Sequence, residues 1–108
     1  MNKVEQVRAL FREGGVVECV KNTYIPANDG TRRRITKVGK TFARCQVIGG
    51  ERAGEPFYMS LPTRVRDVIA IDERETTFLL DESVARLRGH TVTIRRVDLS
   101  QDSDSASV

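Results

Sequence analysis

Between Gly30 and Gly50 the chain reads GTRRRITKVGKTFARCQVIGG, with six basic side chains (Arg32, Arg33, Arg34, Lys37, Lys40 and Arg44) and no Asp or Glu. Guanidinium and ammonium groups at this density do one thing well, which is to donate hydrogen bonds to phosphate or carboxylate oxygens. Like charges on neighbouring strands repel unless an anion or an acidic partner lies between them. Arg64, Arg66, Arg95 and Arg96 add to the supply of cations. Tyr24 and Tyr58 are the aromatics left to stack on bases, because Phe42 and Phe57 alternate as core residues would. The competing reading of the same stretch is a solvated hairpin whose charges keep a sheet edge soluble.

Other chemistry is poorly supplied. His90 is the single histidine, and it directly follows Gly89 at the start of a strand-like run, a poor position for a general base. Gly39-Lys40-Thr41 lacks the earlier glycine of a phosphate loop, Arg34 standing in that place, and it joins two strands. Carboxylates gather at Asp72, Glu73 and Glu75 and at Asp81 and Glu82, where they read as solvated turns. Two cysteines, Cys19 and Cys45, with one histidine and no CxxC, cannot close a tetrahedral zinc site. Both fall in strand-like runs, the usual setting of a buried thiol. No enzyme activity, metal or cofactor is expected.

The elements that must position the cations follow from periodicity. Residues 2–13 carry Val4, Val7, Leu10 and Phe11 on one face of an amphipathic helix, with Asn2 as cap and Gly14-Gly15 as terminator. Strands are expected over GVVECVKNTYIP, TRRRITKV, KTFARCQVI and EPFYMSL, then over residues 65–71, 76–80 and 90–97. Ala43, Cys45 and Val47 should share one face, against Phe42, Arg44, Gln46 and Ile48 on the other. By the same alternation Arg32 and Arg34 point one way, and Arg33 and Lys37 the other. A hairpin closing about Gly39-Lys40 would bring Arg44 towards Arg34. Residues 81–89 read as a short late helix, with Asp81 as cap and Gly89 at its end.

At 108 residues, 39% apolar and 31% charged, the chain is expected to be one mainly β domain over residues 1–98. Five to seven short antiparallel strands should curl into a small SH3-like β-barrel behind the leading helix. Residues 99–108, rich in Ser and Asp, should be disordered. The 18 basic residues against the 12 acids before Asp98 leave +6 on the domain, and Asp98, Asp102 and Asp104 put −3 on the tail. No run reaches the length of a membrane span and no apolar leader opens the chain, so a cytoplasmic setting is expected.

The stretch QVIGGERAGEPFYM resembles the loop of a KOW motif, through Ile48, Gly49, Ala53, Gly54 and Phe57. KOW modules are SH3-like barrels that bind RNA, DNA or proteins, so the resemblance implies that fold and those ligands, although the usual further glycine is replaced by Glu55-Pro56. In style the chain is also similar to small Arg-rich accessory proteins of actinobacterial phages. The expected function is a non-enzymatic module that contacts nucleic-acid phosphates, DNA or RNA. Six such contacts would weaken binding by roughly 10³-fold between 50 and 200 mM salt. The alternative is a protein–protein adaptor, such as a phage modulator of a host protein or a small assembly component.

Overall fold

A computed structural model describes residues 2–97. The leading helix α1 spans Lys3–Leu10, and the Asn2 side chain caps it by accepting from the Glu5 amide at 2.9 Å. It is shorter than expected, because Phe11 leaves the helix in extended conformation and turns its ring into the core. There Phe11 meets Phe78 edge to face, centroids 6.4 Å apart.

Seven strands follow: β1 (Val16–Asn22), β2 (Arg32–Val38), β3 (Phe42–Ile48), β4 (Pro56–Ser60), β5 (Val68–Ile71), β6 (Glu75–Leu79) and β7 (Thr91–Val97). All pairings are antiparallel, in the order β4-β3-β2-β1-β7-β6-β5. Mainly β architecture, a leading helix and seven antiparallel strands match the sequence reading. The expected barrel closure is not among these pairings. The order is linear, β4 and β5 are its ends, and the described residues form one open sheet. Instead of curling onto itself, the sheet covers one face with α1 and Phe11. Val17, Cys19, Ile35, Ala43, Cys45, Met59, Val92 and Ile94 form the core beneath them.

Three local departures have visible causes. β1 stops at Asn22 because the Asn22 side chain accepts from the amides of Tyr24 and Ile25, which turns the chain into a 3-10 segment at Pro26–Asn28. The strand expected from residue 65 begins only at Val68. A 3-10 turn precedes it, and there Asp67 accepts from Arg64 at 3.1 Å. The late helix reduces to one 3-10 turn at Ala85–Leu87, since Asp81 is engaged by Ser83 and Gly89, at φ 79°, turns the chain straight into β7. The tail at residues 99–108 lies outside the described residues.

Candidate nucleic-acid interface

The solvent-facing side of the sheet carries its charges in rows set by strand register. In β3 the alternation holds as expected: Ala43, Cys45 and Val47 are buried, while Phe42, Arg44 and Gln46 are exposed. β2 contains a bulge between Ile35 and Lys37, with Thr36 as the extra residue. The bulge reverses the phase of the strand, so Lys37 pairs in register with Arg44 and joins the outer face rather than the face of Arg33. Thr36 ties it down by donating to the Arg44 carbonyl at 3.1 Å.

The first row therefore runs Lys37, Arg44, Tyr58 across β2, β3 and β4. Neither cation in it has a carboxylate partner among the described residues. Phe42, expected in the core, is 48% exposed, and Tyr58 is 59% exposed. Their rings meet edge to face at 5.7 Å and form a small aromatic platform beside Arg44. In the second row Arg34 lies between Val16 and Gln46, away from direct pairing with Arg44. Arg34 donates one hydrogen bond to the Gly14 carbonyl at 3.0 Å and meets no carboxylate among the described residues.

The third row is self-neutralising. It reads Ile48, Arg32, Glu18, Arg95, Glu75 by register, with opposite charges alternating. Glu18 accepts from Arg32 at 3.3 Å through one carboxylate oxygen and from Arg95 through the other. Arg32 and Arg95, both expected to contact phosphate, are thus held by an acid of the same face.

Several other expected contacts lie elsewhere. Arg33 is 1% exposed and shares the inner face with Ile35, because no bulge separates those two positions. Arg64 pairs with Asp67 and reaches Glu82 at 4.0 Å, beyond the β4 edge. Arg66 is exposed on that same 3-10 turn, and Arg96 falls on the face opposite Arg95, in register with Val17. Lys40 is exposed in the β2–β3 turn. Arg8 of α1 fixes this turn by donating to the carbonyls of Gly39 and Lys40 at 2.5 and 2.8 Å, a positioning role without a sequence signature.

Tyr24 is half-buried against the core, with its ring edge-on to His90 at 5.2 Å, so it is not a free stacking surface. His90 Nδ1 in turn shares a 3.1 Å hydrogen bond with the Thr23 hydroxyl. Cys19 and Cys45 are buried free thiols on β1 and β3, with β2 between them. Burial pushes both up, Cys45 to about 11. Among the described residues no group of acidic, Cys and His side chains could hold a metal ion, and no helix is long and apolar enough to cross a membrane. No family model matches the chain, and no curated protein or solved structure matches it.

Proposed function

We propose that the chain is a non-enzymatic module whose outer sheet face binds single-stranded DNA or RNA. The observation that carries this reading is the acid-free row Lys37–Arg44–Tyr58, flanked by Phe42 and Arg34. Two adjacent cations without a carboxylate partner among the described residues supply contacts to a phosphate backbone. The exposed rings beside them supply stacking surfaces for unpaired bases, an arrangement suited to single strands more than to duplex.

Three phosphate contacts, from Arg34, Lys37 and Arg44, give a salt slope of about −2 on a single strand. Affinity then falls about 20-fold between 50 and 200 mM salt, far less than six contacts would give. Fluorescence anisotropy with a labelled twelve-nucleotide strand tests this. Lys37→Glu with Arg44→Glu should abolish binding and leave the melting temperature nearly unchanged, because one exposed like-charge cross-strand pair is exchanged for another. Binding that survives the double substitution refutes the assignment.

A second reading has one observation in its favour. Edge strand β5 exposes Ile69, and the adjoining turn exposes Val65, which suits a protein partner that adds a strand. An adaptor of that kind would keep its partner in the Lys37→Glu, Arg44→Glu variant and lose it on Ile69→Lys.

A further inference from the structure

Arg34, Lys37 and Arg44 are exposed on the outer face and meet no carboxylate among the described residues. Like charges gathered on neighbouring strands call for an acidic partner. The chain itself supplies acids. Residues 98–108 lie outside the described residues, and they contain Asp98, Asp102 and Asp104 and no Lys or Arg. Their charge of −3 equals the +3 of the three cations.

Register fixes where that segment leaves the sheet. Val97 pairs with Val16, and Val16 with Arg34, so the three form one row on the outer face across β7, β1 and β2. β7 and β2 both run antiparallel to β1, so β7 ends level with Arg34 and points towards the level of Lys37 and Arg44. Before Val16 the chain is Gly14-Gly15, hydrogen-bonded to Ile35, and it puts no side chain in that path. With strands about 4.8 Å apart and residues about 3.3 Å apart along each, Arg44 lies about 16 Å from Val97. Asp102 and Asp104, five and seven residues past Val97, reach about 17 and 24 Å in an extended chain. Asp98 falls short of that row.

We propose that residues 98–108 dock on the outer face, with Asp102 and Asp104 against Lys37 and Arg44, and so act as an internal competitor for the single strand. The competition rests on the nucleic-acid reading, whereas the contact needs only the charges and the register. Exposed ion pairs are individually weak, so a polyanion that offers more contacts displaces the segment.

Carbodiimide coupling of the full chain at low salt, which joins a carboxylate to an amine at contact distance, reads the contact directly. Trypsin cutting after Arg96 releases residues 97–108 as one peptide. In the monomer fraction that peptide should be joined to Lys37 or to Lys40 of the adjoining turn, in preference to Lys3 and Lys21, and a twelve-nucleotide strand should suppress the product. The variant Asp98→Asn, Asp102→Asn, Asp104→Asn should tighten single-strand binding about 3- to 10-fold at 50 mM salt, the scale of two exposed ion pairs. At 200 mM the gain should shrink to about 2-fold or less. Glu5→Gln, Glu51→Gln, Glu73→Gln removes the same charge from exposed positions elsewhere and serves as the control. A product confined to Lys3 or Lys21, no product, or a gain no larger than the control's overturns the proposal and leaves the single-strand reading in place. If no single strand binds at all, that reading falls and the Lys37 or Lys40 product alone decides the contact.

Discussion

Replacing Glu18 by Gln should weaken the fold and strengthen the binding, an opposition that few surface substitutions produce. The Glu18 side chain is 15% exposed and holds Arg32 and Arg95, themselves 39% and 47% exposed. Solvent screens the cationic side of both pairs, so each contributes about 0.5–1 kcal/mol. Gln retains an acceptor oxygen and keeps part of the contact, so the net loss is about 1 kcal/mol and Tm falls about 4–8 °C. On the outer face the same change deletes one negative charge and releases Arg95 as a fourth phosphate contact beside Arg34, Lys37 and Arg44. The single-strand salt slope then steepens from about −2 to about −3. The loss between 50 and 200 mM grows from about 20-fold to about 50-fold, and affinity at 50 mM rises about 8-fold. Anisotropy titrations at four salt concentrations, with Tm measured in parallel, read both effects. Arg95→Ala provides the contrast, because it breaks the same ion pair yet should not tighten binding. Unchanged affinity and slope in Glu18→Gln would refute the assignment of this face to a polyanion.

Tyr58→Ala should leave Tm within about 2 °C, because the side chain is mostly exposed, and should weaken single-strand binding by 1–3 kcal/mol, roughly 5- to 150-fold. Duplex affinity measured alongside should change little. The thiols give a pH prediction. Cys45 stays protonated in the fold up to about 11, while the unfolded chain loses that proton near the ordinary value of 9.0. Stability is therefore intact below pH 9 and declines as pH rises towards 11, and Cys45→Ala should flatten that decline in a melting series. A disulfide-exchange reagent at pH 8 should label neither Cys19 nor Cys45 until denaturant is added.

How much of this was legible in the sequence differs between neighbouring strands. The period-two pattern of β3 reads directly, because Ala43, Cys45 and Val47 are apolar and their neighbours are not. β2 misleads twice. Arg33 alternates with Ile35, which is a signal for the inner face, but a guanidinium is expected outside and the pattern is only two residues long. Lys37 then changes face at a bulge, which depends on how β2 meets β3 and leaves no mark in either strand alone. The pairing of Glu18 with Arg95 joins residues 77 positions apart, so the neutralised row cannot be seen until β1 and β7 are known to be neighbours. Phe42 looked like core on hydrophobicity, and its exposure follows from sharing the Arg44 face of β3.

The adjacency of β1 and β7 has a consequence for how the molecule can be assembled and cut. β1 lies between β2 and β7, so the earliest strand to be synthesised waits beside the last. A polypeptide halted before residue 91 has two hairpin groups, β1 to β4 and β5 to β6, that lack the β1–β7 seam and share only the packing of α1 and Phe11 against β5 and β6. Ribosome-bound chains should therefore stay open to proteases until β7 emerges. By the same logic a cut in the loop between β4 and β5 leaves two fragments that can re-associate through the β1–β7 seam, whereas removal of β7 splits the molecule down its middle.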